Sequence, residues 1–172
     1  DNVNLNQYWS QLIIEELVRS GVNYICIGPG SRSTPLVVAA ARHSGIETFI
    51  GHDERSLGFH ALGYARATKS PAVIITTSGT AVANLYPAVV EASSDSVPML
   101  ILTADRPPEL IETGANQTIR QDRFFGTYAR WYADLPCPDN NIPPEMVLTT
   151  VDQAVYRSKT GFPGPVHLNC RY

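Results

Sequence analysis

The sequence predicts an α/β fold, a doubly wound and mainly parallel sheet with helices on both faces. Runs such as "YICI" at 24–27 and "AVIITT" at 72–77 carry no charge, as strands do when both faces of their sheet are covered. Between such runs lie longer segments whose apolar residues recur at three- and four-residue spacing, the period of a helix with one buried face. The junctions are rich in Gly, Pro, Ser and Thr, as tight strand-to-helix turns require.

The first element is a helix over 5–19, where Leu5, Tyr8, Leu12, Ile13, Leu17 and Val18 share a face and Gly21 ends the run. A buried strand at 24–27 follows, then a helix over 35–43 with Ser33 or Thr34 available as its cap. The unit repeats as strand 47–50 and helix 54–69, then strand 72–77 and one helix over 81–93 capped by Ser78 or Thr80. A strand at 99–103 comes next. Regularity lapses through "RPPELIETGANQTIRQDRFFGTY", and "LPCPDNNIPP" at 135–144 reads as a proline-rich loop. A helix over 145–158 and a last strand at 165–170 complete the chain.

At 172 residues the chain suits one domain, 1–172, with a substantial core. A net charge of −3 with scattered basic residues argues against a nucleic-acid partner, and no apolar run approaches the roughly 20 residues that cross a bilayer. Three cysteines, Cys26, Cys137 and Cys170, are odd in number and widely spaced, which suggests a reducing compartment rather than disulfides or zinc. His43, His52, His60 and His167 lack metal-ligand spacing, so packing and surface roles are expected and no metal site. The chain opens on Asp1, as a processed or excised piece would.

Ligands of such sheets bind outside the carboxyl ends of the strands, where segments 28–34, 52–55, 78–80 and 104–106 fall. "GPGSRSTPL" at 28–36 is neither a Walker A loop nor a dinucleotide fingerprint. Its outward amides and Arg32 suit a carboxylate or phosphate, although a tight turn with a solvated Arg32 fits the local pattern as well. In "GHDERSLGFHALGYARA" the charged triplet Asp53, Glu54 and Arg55 opens a helix of small residues, Gly58, Ala61, Gly63, Ala65 and Ala67. Close helix packing, possible across a subunit boundary, is expected there.

Taken in order, "GPGSRSTPL", "HDERSLGFHALGYA", "TSGTAVANLYPAVVEA", "LTADRPPEL" and "GANQTIRQ" closely resemble the 2-succinyl-5-enolpyruvyl-6-hydroxy-3-cyclohexene-1-carboxylate (SEPHCHC) synthases. These are thiamine-diphosphate enzymes of menaquinone and phylloquinone biosynthesis. The resemblance spans essentially the whole chain, and "TADRPPEL" with "GANQ" is specific to this family. It implies that 1–172 is an N-terminal pyrimidine-binding domain. The central domain, and the domain holding the diphosphate and Mg2+, would lie outside this chain. The cofactor would then sit between subunits of a homo-oligomer, a dimer or tetramer.

By the same resemblance Glu54 is the catalytic carboxyl, bonded to the aminopyrimidine ring and largely buried once its partner domain docks. Ser78 and Gly79 join it on the cofactor side. Ser31, Arg32 and Arg106 would contact substrate carboxylate, while Asn116 and Gln117 line the substrate side. The reaction implied is a decarboxylating carboligation of 2-oxoglutarate with isochorismate, in the cytoplasm or in a plastid, and the isolated chain would be inactive. Asp105 and Arg55 are expected to pair structurally. Two other readings stay open, an acetolactate-synthase-like carboligase and a noncatalytic binding domain of the same fold.

Overall fold

Asn4 starts the first helix, α1 (Leu5–Arg19), because its side-chain oxygen accepts from the amides of Asn6 and Gln7, two donors that the first turn leaves unpaired. The computed structural model describes residues 4–172. Strand β1 (Tyr24–Ile27) leads to α2 (Thr34–Arg42), β2 (Glu47–Ile50) to α3 (Glu54–Thr68), and β3 (Ala72–Thr76) to α4 (Thr80–Asn84) and α5 (Tyr86–Ser94). After β4 (Met99–Asp105) the chain makes two single 3₁₀ turns, Pro108–Leu110 and Gly126–Tyr128, before β5 (Trp131–Leu135), α6 (Pro144–Lys159) and β6 (Pro165–Arg171).

The six strands form one sheet in the order β2-β1-β3-β4-β6-β5, and every pairing is parallel. Alternate residues feed two cores. Val73, Ile75, Leu100 and Leu102 pack with α1, α2 and α6 on one face, whereas Ala72, Ile74, Met99 and Ile101 pack with α3, α4 and α5 on the other. The central strands β3 and β4 are buried at every residue, which explains their unbroken apolar reading. Among the described residues no helix is long and apolar enough to cross a membrane.

Several expectations need correction. Strand β2 is exposed at all four positions rather than buried, because it is an edge strand bonded only to β1. The expected helix over 81–93 is two helices meeting at Leu85, since Pro87 has no N–H to continue the ladder and opens α5 instead. Neither Ser33 nor Thr34 caps α2 with its side chain: Ser33 Oγ donates to Gly30 O and Thr34 Oγ1 to Ser31 O. Nor does Ser78 or Thr80 cap α4, whose N-cap is Gly79. Strand β5 falls between the irregular stretch and the proline-rich loop, where no element is expected, and takes Leu135 from that loop; it too is an edge, with Asp134 exposed, and so lacks an apolar run.

Of the small residues of α3, Gly58, Ala61 and Ala65 are buried inside the chain, whereas Gly63 and Ala67 are exposed. A Cβ on Gly58 would lie 2.8 Å from Ala88 Cβ of α5, while one on Gly63 would meet nothing within 4 Å. These sites predict opposite outcomes for one substitution. Gly63→Ala should raise stability by about 0.5–1 kcal/mol through helix propensity, and Gly58→Ala should lower it by about 1–3 kcal/mol through overpacking, both read by urea unfolding.

Candidate active site at the carboxyl edge of the sheet

Because all strands run one way, the segments 28–34, 52–55, 78–80 and 104–106 lie together at the carboxyl ends of β1, β2, β3 and β4. The chain turns one way from β1 to β2 and the other from β1 to β3, so the crevice between β1 and β3 is the topological switch point. Gly28 N–H donates to Ile75 O across it at 2.9 Å. Gly30 lies against the next loop so closely that a Cβ there would be 2.2 Å from Thr77 Cβ. No other residue type allows that approach.

Glu54 opens α3 beside this crevice. Asp53 caps the helix by accepting from Ser56 N–H at 2.8 Å, a bond that also holds the Asp53 carboxyl below its ordinary range. The Glu54 side chain is half-buried, and a Cβ on Gly28 would make ordinary contact with its Cγ at 3.5 Å. Among the described residues its carboxylate has no ion pair or side-chain hydrogen bond. It is a carboxyl set at a crevice with its bonding capacity open.

Ser31 and Arg32 follow β1. Ser31 is exposed, and its carbonyl accepts from both the amide and the hydroxyl of Thr34. Arg32 is half-buried and donates from Nη1 to the main-chain oxygen of Tyr172 at 2.8 Å. Around it Asn6, Ser31, Pro35 and Tyr172 line an open surface hollow of about 330 Å³. Among the described residues the arginine has no acidic partner and makes this one side-chain hydrogen bond, which leaves most of its fork available there.

The loop after β3 is built against the segment after β4. Ser78 Oγ donates to Gln117 O at 2.9 Å, Gln117 Nε2 donates back to Ser78 O at 3.1 Å, and Gly79 N–H donates to Gln121 Oε1 at 3.0 Å. Gly79 has a φ of 85°, and a Cβ on it would come within 2.9 Å of Gln117 Cγ. Ser78 and Gly79 are thus buried, with these donors engaged internally. Asn116 and Gln117 are exposed, and Gln117 has a positive φ of 56°. Arg106 Nε donates to Thr118 Oγ1 at 2.6 Å, and Nε and Nη2 both reach Asn116 O. Its guanidinium shapes the loop that presents Asn116 and Gln117.

Beneath this surface lies a buried polar network that the sequence did not announce as a site. Asn169 uses both donors and both acceptor positions: Nδ2 donates to Asp105 Oδ2 and Asp134 Oδ1, and Oδ1 accepts from Gln121 Nε2 and Thr103 Oγ1. Since Thr103 spends its proton on Asn169, it accepts from His167 Nε2 at 2.7 Å, and burial pushes the His167 pKa down to about 3, leaving the ring neutral. Asp105 also accepts from Arg106 N–H and faces Arg171 at 3.4 Å. Its structural partner is Arg171, not Arg55. The available signal was "HLN", two polar residues on one face of an apolar strand.

Thiol chemistry is disfavoured: burial pushes the Cys26 pKa up to about 12 and that of Cys170 higher. The site is instead one free carboxyl, two arginines and an amide-lined loop.

A family model described as thiamine pyrophosphate enzyme, N-terminal TPP binding domain, matches residues 8–124. The chain is 60% identical over 169 residues to a 2-succinyl-5-enolpyruvyl-6-hydroxy-3-cyclohexene-1-carboxylate synthase of Chlorobium limicola, covering 98% of this chain and 29% of that protein. It is 60% identical to the synthase of the same name from Rubrobacter xylanophilus, over 97% of this chain and 29% of the relative. It is 55% identical over its whole length to protein PHYLLO, chloroplastic, of Arabidopsis thaliana, of which it spans 10%. The chain thus spans under a third of the bacterial relatives named here and a tenth of the plant protein. On the match across most of its length, the chain belongs to the thiamine pyrophosphate enzymes and carries their N-terminal TPP-binding domain.

Proposed function

We propose that this chain is the pyrimidine-binding part of a SEPHCHC synthase, which joins 2-oxoglutarate to isochorismate with loss of carbon dioxide. The observation that carries the reading is Glu54, a half-buried carboxyl at the sheet's switch-point edge with no side-chain partner among the described residues. The identity of 55–60% to proteins named for that activity, or to PHYLLO, supports the same assignment.

The residues present suit the pyrimidine half of thiamine diphosphate. Glu54 lies beside Gly28 at the end of β1, and its open carboxyl can bond a ring nitrogen. The cofactor, when bound, supplies a nucleophilic carbon for 2-oxo acids. Glu54 would hold a proton at the ring nitrogen, a task that is easier once docking of a further domain excludes water. In this reading Mg2+ and the diphosphate would be bound by parts of the protein outside this chain. The site would be completed by another subunit of a homo-oligomer, a dimer or tetramer. Ser78 and Gly79 would shape the cofactor side through their packing on Gln117 rather than through free donors.

Arg32 lies in the loop after β1 and Arg106 directly after β4, strands that are two spacings, about 10 Å, apart in the sheet. Arg32 would take a substrate carboxylate with the N–H groups that Tyr172 leaves open, with Ser31 adding a hydroxyl. Arg106 would act partly through Asn116 and Gln117, the loop it holds. The proposed compartment is the cytoplasm, or a plastid in a photosynthetic eukaryote.

In the full-length enzyme, Glu54→Gln should lower kcat about 10²–10⁴-fold, the usual yield of general acid–base help, with an unchanged unfolding temperature. Near-wild-type turnover would remove Glu54 from the chemistry. Arg32→Ala should raise KM for one carboxylate substrate about ten- to hundredfold, the loss of a charge-assisted hydrogen bond, with kcat little changed. The isolated chain should show no carboligation in a coupled assay, and turnover by it would overturn the division of the site proposed here.

A further inference from the structure

We propose that Gln121 is a positioning residue that locks the Asn116–Gln117 loop to the Ser78–Gly79 turn. Nothing in the motif chemistry above assigns it a role. Its carboxamide is buried, with 1% of the residue exposed, and every polar atom of it is used. Oε1 accepts from Gly79 N–H at 3.0 Å, and Nε2 donates to Ala104 O at 3.2 Å and to Asn169 Oδ1 at 2.8 Å. One side chain thus joins the β3–α4 turn, the end of β4 and the interior of β6.

The geometry makes this joint selective. Gln121 lies in irregular chain with no ladder of its own to fix its place, four residues after Gln117. Gln117 in turn exchanges two hydrogen bonds with Ser78 and occupies a left-handed backbone conformation that an L residue rarely adopts. Such a conformation persists where the surroundings over-determine it. Gln121 supplies that determination from below, while Arg106 grips Asn116 O and Thr118 from the side. The Asn169 end cannot turn over to receive a different group, because both of its donors already serve Asp105 and Asp134. The orientation of the Gln121 amide is therefore fixed, and with it the spacing between loop and turn.

This inference rests on the proposed function for its kinetic meaning. The test is made in the full-length synthase with Gln121→Met, which keeps length and removes all three bonds, and with Gln121→Glu, which keeps an acceptor for Gly79 and loses both donors. A Val151→Ala variant, in the α6 core away from the site, is the stability control. Both Gln121 variants should raise KM for an acceptor or donor substrate by about tenfold with kcat within about threefold, the effect expected when binding geometry is lost and chemistry kept. Val151→Ala should lower the unfolding temperature and leave KM alone. Hydrogen exchange should show faster exchange of the Gly79 amide in Gln121→Met and of residues 112–120 in both Gln121 variants. Lower stability with wild-type KM, or unchanged exchange in both variants, overturns the positioning role. If the wild-type enzyme does not catalyse the carboligation, the proposed function falls, and the exchange measurement still decides whether Gln121 locks the loop.

Discussion

Parallel pairing is the constraint from which the rest of this molecule follows. A parallel strand cannot be joined to its neighbour by a tight hairpin, so each return passes through a helix or a long loop on a sheet face. With every pairing parallel, each carboxyl end, and the loop that leaves it, falls on one edge. Residues distant in sequence, among them Arg32, Glu54, Ser78 and Arg106, are gathered there without any being a neighbour of another in the chain. The two-faced burial of β3 and β4 makes the edge rigid.

Rigidity at the edge is also polar in origin. Asn169, Gln121, Thr103 and Asp105 are all buried, and each gains its partners from a different segment. A satisfied buried network of this kind specifies one arrangement, because each alternative strands a donor or acceptor away from water. His167 adds a neutral ring held by Thr103 and stacked edge-on to Phe125 at 5.0 Å. The exposed residues above the network inherit its placement.

Much of the fold was legible in the sequence because the central strands are apolar on both faces, a pattern that needs no tertiary knowledge to read. What escaped was at the margins of the sheet. Strand β5 alternates poorly and carries Asp134 at an edge, and β2 gave no sign that its four residues would face outward. The positions at the strand ends followed from the α/β pattern, and the motif resemblance supplied roles for Glu54, Arg32 and Arg106. Gln121 and Asn169 stayed silent because a single polar residue acquires meaning only through partners that lie 17 to 66 positions away. No local period encodes such a pairing.

The bond from Arg32 to the Tyr172 main chain has a thermodynamic side. A free arginine gives up roughly 2 kcal/mol of rotamer entropy when a ligand fixes it. Here much of that loss is already met in folding, since Nη1 is tied at 2.8 Å and Tyr172 is itself anchored, its hydroxyl 2.7 Å from Ser10 Oγ and its amide on Asp105 O. An anion bound at this loop, as proposed above, would meet a fork already aimed. The same tie makes the end of β6 a mechanical partner of the β1 loop.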